Sequence, residues 1–138
     1  MSGRISRKEL QAELIKVFSE IGNLFGLNES EIQCYNNNIT SIYLLGKNAL
    51  EIEIDWRENI LFMYVVRIIN NEIPSDLTVY QYNDGSWCRK YIDEVYNTKN
   101  PLYKSPDKTK PDFLLNLIQY YKNLILTNPD TLKPFFDS

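Results

Sequence analysis

A strict two-residue alternation in the middle of the chain most constrains its fold. Residues 50–57 read Leu-Glu-Ile-Glu-Ile-Asp-Trp-Arg, so apolar and polar side chains take turns. Because successive side chains of a strand point to opposite faces, this segment is predicted to be a strand with one apolar and one acidic face. The acidic face carries Glu51, Glu53 and Asp55. The apolar face needs a covering layer, so we expect a sheet packed against helices.

Turn signals on both sides of this strand predict an antiparallel meander. Strands are predicted over 40–45, 49–57 and 60–69, with turns at Gly-Lys-Asn and Glu-Asn between them. Two more strands, over 77–82 and 86–91, flank an Asn-Asp-Gly turn. The stretch before residue 40 reads as a polar connector. The sheet is therefore expected to have about five strands.

The hairpin after Arg57 decides which side chains meet on the acidic face. If Glu58 and Asn59 form a two-residue loop, Arg57 lies opposite Ile60. The acidic residues then face aromatic or aliphatic ones, in the pairs Asp55 with Phe62, Glu53 with Tyr64 and Glu51 with Val66.

Helical patterns are found before and after the strands. Ser6-Arg7-Lys8-Glu9 has the form of a capping box, and apolar residues follow at helical spacing from Leu10 to Leu24. A second helix start at Thr109 precedes another apolar stripe, and Asn128-Pro129 begins a short third helix. The predicted fold is α+β, with an N-terminal helix, an antiparallel meander of about five strands, and C-terminal helices packed on one sheet face. Residues 1–138 are expected to form a single domain.

Composition narrows the function mainly by exclusion. The chain has no histidine, so the commonest general base and metal ligand is missing, and it carries no phosphate-loop or serine-hydrolase motif. Cys34 and Cys88 form no metal-ligand pair, so neither a metal nor a cofactor is expected. A net charge of -3 disfavours nucleic-acid binding. The polar N-terminus and the lack of a long apolar run predict a cytoplasmic protein without a membrane span.

Two aromatic-bearing surfaces are candidates for binding a partner. The first is the acidic face with its aromatic neighbours, and the second is the hairpin around Asn83-Asp84-Gly85. If Asp84-Gly85 is a two-residue loop, one face of this hairpin carries Thr78, Tyr80, Tyr82, Trp87, Arg89 and Tyr91, whereas a three-residue Asn83-Asp84-Gly85 loop would shift that register. Aromatic residues supply contact area while acids supply charge selectivity. The candidate contact residues are Glu51, Glu53, Asp55, Phe62, Tyr64, Tyr80, Tyr82 and Trp87.

The same face has two other interpretations. Exposed alternation of charged residues is the normal appearance of the solvated side of a one-sided sheet. Catalysis by a carboxylate pair would need a pKa raised by burial, whereas carboxylates on an open polar face are expected to stay ionised. We therefore expect a protein that is not an enzyme.

A small, acidic, histidine-free α+β domain with this face resembles immunity proteins of bacterial polymorphic or contact-dependent toxin systems. The resemblance rests on the acidic and tyrosine residues Glu51, Glu53, Asp55, Tyr64, Tyr80 and Tyr82. It implies a non-catalytic protein that neutralises a cognate toxin, often a basic nuclease domain, by charge complementarity, as a monomer or a homodimer.

Two alternatives stay open beside this resemblance. One is an acidic secretion chaperone, although such chaperones usually have a helix in the middle of the sheet and none is evident between Ile69 and Leu77. The other is a carbohydrate-binding or carboxylate-dependent enzyme domain.

Overall fold

The computed structural model describes residues 6–27, 32–36, 39–69, 87–98 and 113–136. Five antiparallel strands form one open sheet in the order of the sequence, with one helix before them and further helices after them. This confirms the predicted α+β fold. The strands are β1 (Ile32–Asn36), β2 (Ile39–Leu45), β3 (Ala49–Asp55), β4 (Ile60–Val66) and β5 (Arg89–Tyr91). The helices are α1 (Arg7–Leu24), α2 (Ile92–Val95), α3 (Phe113–Thr127) and α4 (Pro129–Leu132), followed by a 3-10 turn at Lys133–Phe135.

The strands differ in part from those predicted. β1 was expected to be a connector, but it pairs with β2 along its whole length. Its signal is a short alternation in which Ile32 and Cys34 point to the helices, and its polar flanks obscured that alternation. β5 is the end of the strand predicted over 86–91, whereas the strand predicted over 77–82 and the turn after it lie outside the described residues.

The turn between β3 and β4 is longer than the predicted two-residue loop, so the predicted register is wrong. Four residues, 56–59, connect the strands, and Asn59 adopts a φ of 54°. Asp55 Oδ1 accepts hydrogen bonds from the backbone N–H groups of Arg57 and Glu58, both at 3.1 Å, which holds the chain in this wider turn. The observed pairs are Asp55 with Ile60, Glu53 with Phe62 and Glu51 with Tyr64. Because the register moves by two residues, every side chain keeps its predicted face.

The helices cover one face of the sheet, called here the helix-covered face. The hydroxyl of Ser6 accepts a hydrogen bond from the backbone N–H of Glu9 at 3.1 Å, which confirms the predicted cap of α1. Apolar residues of α1 and α3 pack with strand residues in one buried core, as predicted. From the sheet this core includes Ile42, Leu44, Leu50, Ile52, Ile54, Leu61, Met63 and Val65.

The opposite face of the sheet, called here the second face, has its own apolar cluster. Tyr43, Ala49, Tyr64 and Val66 are buried there, next to the less buried side chain of Phe62. The sheet therefore has shielded side chains on both faces, although the predicted solvated face would have been polar and open.

Gly46, in the turn between β2 and β3, allows the chain end to pack closely. A Cβ atom at this position would lie 2.8 Å from Cδ1 of Phe136. Phe136 cannot retreat easily, because its ring stacks on Phe25 with centroids 4.9 Å apart. We expect Gly46→Ala to lower the free energy of unfolding by about 1–3 kcal/mol, the usual cost of overpacking. Urea unfolding measures this, and Gly46→Ala/Phe136→Leu should recover part of the loss; an equal loss in both would show that crowding is not the cause.

Candidate functional site

The second face consists of four rows of side chains, because paired residues of adjacent strands lie side by side. From one end of the strands to the other, the first row is Leu45, Ala49, Val66 and Arg89, and the second is Gln33, Tyr43, Glu51, Tyr64 and Tyr91. The third row is Tyr35, Ser41, Glu53 and Phe62, and the fourth is Ile39, Asp55 and Ile60.

Along the central strands β3 and β4, burial decreases from the first two rows to the last two. Ala49, Val66 and Arg89 of the first row are buried, as are the three central residues of the second row, whose ends Gln33 and Tyr91 are exposed. In the third row Tyr35 is 56% exposed, Ser41 is buried, and Glu53 and Phe62 are half-buried. All three residues of the fourth row are half-buried. The second face is therefore closed at one end and accessible at the other.

A buried ion pair joins the first two rows. The Nε atom of Arg89 donates a hydrogen bond to Oε1 of Glu51 at 3.0 Å, and both side chains are 0% exposed. Burial opposes the charge on the guanidinium, but the hydrogen bond and the negative charge of Glu51 outweigh it and raise the pKa of Arg89. Glu51 therefore faces an internal cation, and its predicted place on an open acidic surface is wrong.

Glu53 is the second carboxyl group of this arrangement. Its Oε2 atom is shielded from solvent and has no hydrogen-bond partner among the described residues. Burial, followed by the negative charge of Glu51, raises its pKa to about 7, while Arg89 acts in the opposite direction. The expectation that all three carboxylates stay ionised on a polar face is therefore wrong for Glu53. This group can exchange a proton near neutral pH.

Aromatic rings lie on both sides of the two glutamates. On the β4 and β5 side, the ring of Tyr64 lies 4.9 Å from that of Tyr91, and Phe62 lies 6.2 Å from Tyr64. On the β1 and β2 side, Tyr35 meets Tyr43 edge to face at 5.8 Å. Tyr64 is 3% exposed, so of the predicted contact residues on β4 only Phe62 reaches the accessible end.

The predicted aromatic surface of the second hairpin is only partly described. Arg89 and Tyr91 lie on the second face, as predicted. Trp87 instead packs with the core of the helix-covered face, where its ring lies 5.7 Å from that of Phe135. Its predicted place beside Arg89 and Tyr91 is wrong, because β5 begins only after Trp87. Tyr80 and Tyr82 lie outside the described residues.

Two features of this site were missed from the sequence. Tyr35 belongs to the unpredicted strand β1, and the pairing of Arg89 with Glu51 depends on β5 lying beside β4.

In the part of the chain that the structure describes, no group of three or more His, Cys, Asp or Glu side chains could hold a metal ion. The helices described here also include none that is long and apolar enough to cross a membrane.

The ion pair predicts an asymmetric response to mutation. Arg89→Met leaves the carboxylate of Glu51 buried beside no cation, so we expect a loss of about 3–5 kcal/mol in the free energy of unfolding. Glu51→Leu/Arg89→Met removes both charges and should recover most of that loss. Lys122→Ala is the control, because the pair of Lys122 with Glu20, at 3.1 Å, is partly exposed and should contribute under about 1 kcal/mol. Urea unfolding of the four proteins tests this, and a double variant no more stable than Arg89→Met would contradict it.

Because the pKa of Glu53 is raised, we expect the free energy of unfolding to fall as the pH rises. With a folded pKa of about 7 against an ordinary 4.5, the folded state holds this proton more tightly than the unfolded chain. This tighter binding of the proton stabilises the folded state fully below pH 4.5, and the stabilisation is lost as the pH rises through 7. We expect the free energy of unfolding to fall by about 1–2 kcal/mol over this range, after allowance for the partial exposure of Glu53. Glu53→Gln should therefore be more stable than the wild type at pH 8 and show a flatter profile. Urea unfolding at several pH values checks this against Glu58→Gln, which removes an exposed carboxylate from the same hairpin; equal profiles for the two variants would refute the assignment.

Comparison of the chain with protein-family models, with curated proteins and with solved structures finds no match. The resemblance to immunity proteins therefore stays a prediction. A function for this chain has to be proposed from the geometry of its own residues.

Proposed function

We propose that this chain is a non-catalytic protein-binding module that contacts its partner through the accessible end of the second face. We call this surface the open rim and define it as Tyr35, Glu53, Asp55 and Phe62. The proposal keeps part of the contact surface predicted from the sequence. It assigns Glu51 and Tyr64 to supporting the rim from beneath.

The observation that carries the proposal is the exposure of Tyr35. This tyrosine is 56% exposed and lies in the same row as Glu53 and Phe62. Its hydroxyl donates to Oε1 of Gln33 at 2.8 Å, and its ring meets Tyr43, so the exposed ring is held in place. A tyrosine held in this way loses little conformational entropy on binding and supplies both apolar area and a polar tip. Residues of this kind are enriched where proteins bind one another.

Charge favours a basic partner for this rim. Asp55 supplies one carboxylate of the rim, which is half-buried and whose Oδ1 atom accepts two backbone hydrogen bonds. Glu53 adds a second negative charge once its proton is lost, which a cation on the partner would promote. The net charge of -3 supports attraction of a basic protein over longer distances. The most specific form of the proposal is an immunity protein that neutralises a basic toxin domain.

Loss of the Tyr35 ring should weaken partner binding without affecting the fold. We expect Tyr35→Ala to retain less of a basic protein from the source cell's lysate than the wild type does. In the purified complex, the dissociation constant should rise by about tenfold or more, because a central aromatic contact contributes about 2 kcal/mol. Asp55→Asn should weaken binding less and mainly at low salt, since its amide oxygen can still accept the turn hydrogen bonds.

The matched control for charge is Asp130→Asn, which neutralises an exposed carboxylate on α4, the helix that contributes Leu132 to the core of the helix-covered face. All variants are first compared by thermal melting. Unchanged retention by Tyr35→Ala in a folded protein would rule out the open rim as the contact surface. Inhibition of the captured protein's toxic activity would support the immunity function specifically.

One observation favours a second candidate, a carboxylate-dependent enzyme. Glu53 carries a pKa of about 7 on the same face as Glu51, which is the property a general acid needs near neutral pH. Glu51 is held by Arg89 and shielded from solvent, so it is poorly placed to attack a substrate. The second candidate would replace the first if the protein turned over a sugar substrate and Glu53→Gln abolished that activity in a folded protein.

A further inference from the structure

A cleft of about 500 Å³ lies where the strand ends meet the start of α1. The described residues that line it are Arg7, Ile39, Asp55, Trp56 and Arg57. Two of these residues, Ile39 and Asp55, belong to the fourth row of the second face, so the cleft adjoins the open rim. It is built from α1, β2, and the turn between β3 and β4.

The described residues of the cleft carry more positive than negative charge. Arg7 and Arg57 each carry a guanidinium group, and Asp55 is the one acidic residue among the described residues of the lining. Oδ1 of Asp55 is occupied by two backbone N–H groups of its own turn. Neither Arg7 nor Arg57 forms an ion pair with a carboxylate of the described residues. Their donors are therefore available to an anion from outside.

A second feature at the same place also favours an anion. Arg7 is the first residue of α1, a helix of 18 residues whose N-terminal end carries a partial positive charge. The guanidinium carbon of Arg7 lies 5.0 Å from the centre of the Trp56 ring, so the indole holds this cation beside the cleft. The guanidinium groups of the cleft and the N-terminal end of α1 therefore both attract an anion.

The remaining wall of the cleft is apolar and fixed. Trp56 Nε1 donates a hydrogen bond to Oγ1 of Thr40 at 2.7 Å, which orients the indole ring. Ile39 supplies an aliphatic surface beside it. A fixed indole next to guanidinium groups that form no ion pair with the described carboxylates suits a ligand that has an apolar part and a carboxylate, because arginine binds carboxylates in a bidentate manner.

We propose that this cleft binds a carboxylate attached to an aromatic or aliphatic group. The carboxylate meets Arg7 and Arg57, and the apolar group lies against Trp56 and Ile39. The cleft shares Asp55 with the open rim, but the proposed ligand contacts other residues of the lining, so this proposal and the proposed contact through Tyr35 can each fail without the other. Two kinds of ligand carry a carboxylate next to an apolar group: a free organic acid, and the C-terminus of a polypeptide that ends in an apolar residue.

The test is an NMR titration of the wild-type protein with phenylacetate, monitored through the indole N–H signal of Trp56. The variant Trp56→Phe assigns that signal. We expect a saturable shift with phenylacetate and a dissociation constant at least about tenfold weaker in Arg7→Gln and in Arg57→Gln, because each loses a charge-assisted hydrogen bond. Lys133→Gln removes an exposed cation elsewhere in the chain and should leave the titration unchanged.

Phenylacetamide separates the carboxylate from the apolar group, because it keeps the ring and loses the charge. An equal shift with phenylacetamide, a shift that does not saturate, or unchanged affinity in both arginine variants would overturn the proposal. The peptide Gly-Gly-Phe, with a free or an amidated C-terminus, distinguishes the two sources. Tighter binding of the free peptide than of phenylacetate supports recognition of a polypeptide C-terminus, and the reverse order supports a free organic acid.

Discussion

The buried hydrogen-bonded ion pair of Arg89 and Glu51 is the interaction on which the second face depends. Glu51 is part of a central strand, and its side chain lies among the buried rings of Tyr43 and Tyr64. A carboxylate at this depth is costly unless a cation compensates it. Arg89 supplies that cation from β5, on the far side of β4. The pair therefore connects the short last strand to the middle of the sheet.

The pair also specifies how the strands align. A slip of one residue in β3 would move Glu51 into the apolar core of the helix-covered face and place Ile52 on the second face beside Arg89. A slip in β5 would withdraw Arg89 from Glu51 and leave both charges uncompensated. Apolar burial alone tolerates neighbouring registers more readily than a pair of charges does, because a charge has to meet its specific partner. The ion pair thus favours one alignment over similar ones.

One guanidinium cannot compensate two carboxylates equally well. Arg89 binds Glu51 directly, and Glu53 on the next row is left with burial and a nearby negative charge, so its pKa rises to about 7. The buried end of the second face therefore contains the ion pair of Arg89 with Glu51, and its accessible end contains Glu53, whose charge changes near neutral pH. The open rim and the cleft both lie at this accessible end. The open rim is therefore built on paired strands, whereas the cleft also uses Trp56 and Arg57 of the turn between β3 and β4.

Local patterns in the sequence determined the cap and the apolar face of α1, the alternation of β3, and the face on which each residue of the β3–β4 hairpin lies. They could do so because helix and strand periods are properties of consecutive residues. Tertiary structure decided which residues on a given face are exposed. The sequence predicted Glu51, Glu53 and Asp55 as an equivalent row, whereas in the structure Glu51 is buried against Arg89 of β5, Glu53 is half-buried with a pKa that burial and Glu51 raise, and Asp55 lies half-buried at the end of β3. Strand β1 and the four-residue turn at Trp56 also became evident only in the assembled sheet, because β1 depends on pairing with β2 and Trp56 is held by a hydrogen bond to Thr40 of β2. Contacts between residues far apart in sequence, such as the 38-residue separation of Glu51 and Arg89, leave no periodic signal in the chain.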